Sequence, residues 1–255
     1  MSGHFWRGNL APAVRAVKIY WPAFVGLQLA AAAMVLGYYT WPSVRSIAHG
    51  LLEWKDAAGL PFVAAASVFS GAVLPEALKA LVRPPGYRPP DTAGWLHLGA
   101  LMAFFGVMVD LFYLLQGWWF DDVGGLTAVV LKILVDQFIY ALFFAMPVVI
   151  VWFAWKENGY SIRRTAANLG WKGFLRRLPL LFVPNVCFWV PTLVALYALP
   201  TELQFLLFVF VNGAWCLVMV FVAREISGPA GIQTRCAGVA SNGTCGASRQ
   251  SASRS

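Results

Sequence analysis

Residues 126–155 read LTAVVLKILVDQFIYALFFAMPVVIVWFAW, a run of thirty with only two charges, Lys132 and Asp136. About twenty apolar residues suffice to cross a bilayer as a helix, so this run decides the class of fold. At 1.5 Å rise it spans roughly 45 Å and must tilt, kink or protrude. Pro147 is the expected kink, because it removes a backbone donor and crowds the preceding turn. An ionisable pair inside a membrane helix is costly and marks a functional site by default. The rest of the chain can be placed around this helix.

The chain of 255 residues is 60% hydrophobic and 12% charged, too little polar surface for a soluble domain of this length. Its long apolar runs favour helices, since barrel strands show alternation over roughly ten residues. The fold expected is all-α: a polytopic transmembrane helical bundle of six spans, near 19–41, 60–82, 95–119, 126–155, 179–199 and 203–223. Residues 1–18 carry Arg7, Arg15 and Lys18 without an acid. They read as a basic flank, not a cleavable secretory signal, because the apolar run that follows is too long. The expected domain organisation is this flank, one transmembrane domain over 19–225 and a Gly/Ser-rich tail over 226–255 with the composition of disorder.

Between the spans, 42–59 reads as a polar loop and 83–94 (RPPGYRPPDTAG) as a stiff turn. Glu76 and Lys79, in the last turns of the second span, read as an interfacial pair in which the lysine snorkels. Gly26 with Ala30, Ala33 with Gly37, and Ser67 with Gly71 are small residues four apart, the spacing that lets helices approach closely. The fifth span is expected to be interrupted by Pro184 and Pro191. Residues 156–178 place Arg163, Arg164, Lys172, Arg176 and Arg177 beside Ile162, Phe174 and Leu175, with Ser161 as N-cap. That pattern suits a helix lying on an anionic membrane surface.

With six spans, sixteen of the nineteen lysines and arginines fall on the side of the two termini. Only Arg45 and Lys55 fall opposite, and Lys132 lies within a span. The positive-inside rule then puts both termini on the cytoplasmic-type side of a bacterial inner membrane or an organellar one. It also accounts for the net charge of +8 without nucleic acid. The expected partners are membrane lipids, with the anionic leaflet against 156–178, a permeant ion or small solute, and a second copy of the chain.

Asp110 and Asp136 lie thirteen residues either side of the turn at Val123, so both fall roughly 20 Å along their helices, near mid-membrane. Lys132 shares a face with Asp136; Tyr113 and Gln137 are neighbours, and Asn185 beside Pro184 is a further candidate. These six residues read either as the polar lining of a pathway or as a lock between helices. Enzyme chemistry finds no support. The histidines (His4, His49, His97) show no metal spacing, and HExxH, GxSxG and Walker motifs are absent. An aspartyl intramembrane protease would need Asp110 and Asp136 to share a proton, which Lys132 beside them opposes. Cys187 and Cys216 sit in apolar runs as small hydrophobes, and Cys236 and Cys245 in the tail lack zinc spacing. No cofactor or metal is expected.

The same residues resemble the Mpv-type family of peroxisomal and mitochondrial inner-membrane proteins and its bacterial relatives. Lys132-x-x-x-Asp136-Gln137 is similar to that family's Lys-x-x-x-Asp-Gln signature. Gly106, Asp110 and Tyr113 match the spacing of its Gly-Pro-x-x-His-x-Trp-Tyr motif, with Val107, Asp110 and Phe112 in place of proline, histidine and tryptophan. Phe188-Trp189-Val190-Pro191, Tyr197-Ala198-Leu199-Pro200 and Trp215 resemble its C-terminal hairpin, with Gln204 where many members have arginine. The resemblance covers 60–225 and leaves out the first span and the tail. It implies a small integral membrane protein, for some members a channel of low selectivity, commonly drawn with four spans where this region holds five. The function expected is channel- or transport-like, with a structural or scaffolding membrane protein as the alternative.

Overall fold

A computed structural model describes residues 3–83, 87–120, 122–197 and 199–227. Pro84 to Gly86 of the proline-rich turn, Asp121, Ala198 and everything from Gly228 on, including the tail expected to be disordered and Cys236 and Cys245, lie outside the described residues. The described chain forms seven helices: α1 Gly3–Thr40, α2 Pro42–Ala58, α3 Leu60–Val82, α4 Thr92–Trp119, α5 Gly125–Glu157, α6 Ile162–Tyr197 and α7 Thr201–Ser227. All but α2 contain a stretch long and apolar enough to cross a membrane. This is a multi-pass integral membrane protein, and its surface explains why. Leu36, Phe143, Trp118 and Leu126 point outward with 65–77% of their area exposed, a distribution that only a hydrocarbon solvent favours.

The helix at the centre is not the one the sequence singles out. In α7, 67% of the apolar window Leu206–Ala223 is buried, against 39% in α5 and 11% in α1. Gly213 through Val220 are buried without interruption, the mark of a helix surrounded on all sides. Close crossings hold it there. A Cβ on Gly213 would come within 2.9 Å of Leu74 Cδ2 and 3.2 Å of the Ser70 carbonyl oxygen. One on Gly71 would meet Met102 Sδ and Cys216 Sγ, and one on Gly106 would meet Ser67. The Ser67–Gly71 pair thus packs α3 between α4 and α7 as small residues do in lipid. Gly26, by contrast, has nothing within 4 Å; α1 packs through Ala16, Ala23 and Leu27 instead.

The basic flank is not separate from the first span. α1 runs through it from Gly3 and bends at Tyr20 (φ −103°, ψ 16°), just before Pro22. Residues 42–58 are helical rather than a loop: Pro42 sits in the first turn, where its missing donor costs nothing, and Gly59 ends the helix at φ 57°. Asp91 caps α4 by accepting from the Gly94 amide at 2.8 Å. α6 continues through Pro184 and Pro191 and breaks at Gly170 instead (φ 51°, ψ 169°), a conformation open to glycine alone. The break sets a short basic helix, begun by Ser161 and the Arg164 amide at 3.4 Å, apart from the fifth span. Glu76 and Lys79 pair with each other but are buried in the bundle, so the lysine does not snorkel outward. Leu74, just before them in α3, packs against Gly213 of the central helix.

Candidate functional site

Two turns in the bundle are wider than α-helical, Phe69–Val73 in α3 and Asp136–Ala145 in α5. Each is followed, two residues on, by a proline: Pro75 and Pro147. A proline has no N–H and crowds the carbonyl one turn earlier. Passing to i→i+5 bonding relieves that crowding and leaves a bulge, a feature frequent at functional sites. The kink expected at Pro147 is therefore a widened turn that precedes it.

Both widened turns face an open cavity of about 410 Å³ bordered by α3, α4, α5, α6 and α7, with α2 at one end. Ser70 comes from the first turn; Asp136, Gln137 and Tyr140 come from the second. Gln137 Nε2 donates to Asp136 Oδ2 at 2.6 Å, and Asn185 Nδ2 donates to Gln137 Oε1 at 2.8 Å. Gln137 and Asn185 are 1% and 3% exposed, so the Asp136 carboxylate is held by a buried amide relay spanning α5 and α6. On the facing wall Asn212 Nδ2 donates to Ser70 Oγ at 2.8 Å. The Tyr140 hydroxyl is buried without a hydrogen-bond partner among the described residues, and its ring stacks on Phe112 at 4.6 Å.

The cavity is graded along its length. At the end nearer α2 its walls carry Leu52, Lys55, Asp110, Tyr113 and Gln204, all partly exposed. Lys55 Nζ stands 3.1 Å from Asp110 Oδ1. Deeper, Met102, Met146, Val149, Cys216 and Met219 form an apolar floor, each at most 4% exposed. Cys216 Sγ lies 3.7 Å from Met102 Sδ across it. One to two turns beyond, along α3, the Glu76–Lys79 pair is reached from the 87–91 segment by the Tyr87 hydroxyl, 3.4 Å from Glu76 Oε2.

Five of the six candidates line this cavity: Asp110, Tyr113, Asp136, Gln137 and Asn185. Lys132 does not. Its side chain is half-buried outside the walls, its carbonyl accepts from Gln116 Nε2 at 3.0 Å, and among the described residues no ion pair joins it to Asp136 or Asp110. A shared helix face does not fix where a four-carbon stem delivers its charge. The cation of the site is Lys55, which the sequence reading assigned to a loop. Tyr140, Asn212 and Ser70 were also missed, although each interrupts an apolar run. Among the described residues no cluster of three His, Cys, Asp or Glu side chains could hold a metal. No family model, curated protein or solved structure matches this chain.

Proposed function

We propose that this membrane protein is channel- or transport-like and that the cavity is the solute-binding section of its path. The observation that carries the reading is that polar side chains of five bundle helices, and Lys55 of α2, border one partly apolar void inside a bundle whose outer surface is apolar. A lock between helices needs polar groups that satisfy one another at contact. Here some of them do (Gln137 to Asp136, Asn185 to Gln137, Asn212 to Ser70). But two carboxylates, an ammonium, four hydroxyls and four amides also border about 410 Å³ of space, within the size range of small-molecule sites. Widened helical turns and intramembrane polar side chains are the materials from which transport sites are built.

The cavity is closed at its floor by Met102 and Cys216, so the reading is a site occupied from the α2 end, with passage requiring the floor to part. The same closed floor favours the scaffold reading, in which the cavity never opens. Kinship with the Mpv-type family belongs to the proposal too, supported by the cavity position of Asp136 and Gln137. So does a basic helix on an anionic leaflet, supported by exposed Arg163, Arg164 and Lys172 beside exposed Ile162 and Trp171. That leaflet is then the cytoplasmic-type one.

The deciding experiment is solute flux into liposomes holding the purified protein, compared with Asp136→Asn. Flux that depends on the protein and changes with the substitution supports the path. No flux above empty liposomes, from protein shown to be folded and inserted, leaves the scaffold reading.

A further inference from the structure

We infer that the ligand of this cavity is an organic cation, a small amine or quaternary ammonium with an apolar or aromatic body. The inference rests on the cavity being a ligand site and names what it takes. Three charges border the void: Lys55, Asp110 and Asp136. Lys55 and Asp110 neutralise each other at 3.1 Å. Asp136 accepts from the Gln137 amide, and among the described residues no ion pair reaches it. The void therefore carries one uncompensated carboxylate, in surroundings where an unpaired charge is expensive.

Each other ligand class fits less well. An anion meets that carboxylate and finds the one lysine of the walls already engaged. A neutral solute leaves the charge uncompensated. Calcium and magnesium require six or more oxygen ligands and zinc three or four protein ligands. No cluster of three acidic or metal-ligating side chains stands here among the described residues. A proton or a small alkali ion would neutralise Asp136 but make no use of the rest of the lining, whereas an organic monovalent cation matches both. That lining is aromatic and thioether-rich, with Phe105, Tyr140, Trp189 and Phe208 beside Met102 and Met146. Ring faces attract ammonium groups most strongly when desolvated, and methionines adapt to varied apolar shapes. The buried Tyr140 hydroxyl adds an acceptor within the same walls.

The test is equilibrium dialysis of radiolabelled benzyltrimethylammonium against the full-length protein in detergent. Phenylmethanesulfonate and N,N-dimethylbenzamide serve as anionic and neutral competitors. The expected result is saturable binding that neither competitor displaces. Asp136→Asn is expected to weaken it by about 30-fold or more, as loss of a buried charge partner does. Asp136→Glu retains most of the affinity, and Trp189→Leu lowers it by about 3- to 30-fold. Glu53→Gln, at an exposed carboxylate on α2, leaves it unchanged and excludes general surface attraction. Absence of saturable binding, equal binding by Asp136→Asn, or displacement by the anion overturns the inference. Should Asp136→Asn not fold, unchanged affinity in Trp189→Leu overturns it as well. Cation binding without flux in liposomes keeps this inference and removes the transport reading; flux of neutral solutes without cation binding does the reverse.

Discussion

The Lys55 ammonium lies 3.1 Å from an Asp110 carboxylate oxygen and ties α2, which lies outside the bundle, to α4 within it. At its other end α2 packs Ala48 against Tyr38, Leu203 and Leu207. Leu52, between these two anchors, and Lys55 itself line the cavity, so α2 lies across its mouth. The pair is one-fifth to one-third exposed, and pairs of that kind contribute roughly 0.2–1 kcal/mol. Its consequence is positional. Asp110→Asn is expected to lower global stability by no more than about 1 kcal/mol while amide exchange across 42–58 speeds up. The swapped pair Lys55→Asp with Asp110→Lys should restore slow exchange. Exchange unaltered by Asp110→Asn would mean that Ala48 and its neighbours hold α2 alone.

Helix approach in this bundle depends on missing side chains at defined points, and two glycines separate cause from coincidence. A Cβ at Gly106 would overlap Ser67 Oγ and sit 2.6 Å from Ser67 Cβ and 3.0 Å from the Val63 carbonyl oxygen. The last is backbone and cannot rotate away, so α3 and α4 must separate. Gly106→Ala is expected to cost about 1–3 kcal/mol, as overpacking does. Gly26→Ala, with nothing within 4 Å, should fall within about 0.5 kcal/mol of the parent. Unfolding titrations in mixed micelles measure both, and equal effects would refute the packing account.

The amide relay makes a prediction about additivity. Asn185→Leu removes the donor to Gln137 Oε1 and leaves a buried carbonyl unmatched; Gln137→Leu removes the link to both Asp136 and Asn185. Hydrogen bonds inside membrane bundles average about 0.6 kcal/mol and reach about 1.7. Each single substitution should cost an amount in that range, and the double variant clearly less than their sum, since the groups act as one network. Strict additivity in a thermodynamic cycle would show that Asn185 and Gln137 do not depend on each other.

What could be read from the sequence followed from the solvent. Hydrocarbon demands about twenty apolar residues per crossing, and the second span, 60–82, coincides with α3 to the residue. Polar residues amid such runs stand out, which is how Asp136, Gln137 and Asn185 were found. α2 was hidden because five ionisable groups in seventeen residues look like a loop. Its signal lay in Val44, Ala48, Leu51 and Leu52 at helical spacing after Pro42. Missing that helix moved Lys55 out of the site and left Lys132 as the apparent counter-charge. The centrality of α7 was hidden for another reason. A lipid-facing helix and a protein-buried helix are equally apolar, so hydropathy cannot rank them.

Pro147 offers the sharpest test of whether the cavity is built by local backbone chemistry. The widened stretch Asp136–Ala145 stops two residues before it, as Phe69–Val73 stops two before Pro75. If the proline holds the turn open, Pro147→Ala supplies the missing donor and lets the helix close to i→i+4 bonding. Closing one bulge removes one residue from the turn. Everything on one side then rotates by about 100° relative to the other. Asp136 and Gln137 would turn away from Asn185, or Val149 and Met146 would leave the floor. The expected outcome is a protein as stable as the parent or more so, since an α-helix prefers alanine, but with binding and flux largely lost. A second structure, or disulfide crosslinking between cysteines placed at 137 and 185, would report the rotation directly. Retained crosslinking and retained function would mean that packing against α7, and not the proline, keeps the turn wide.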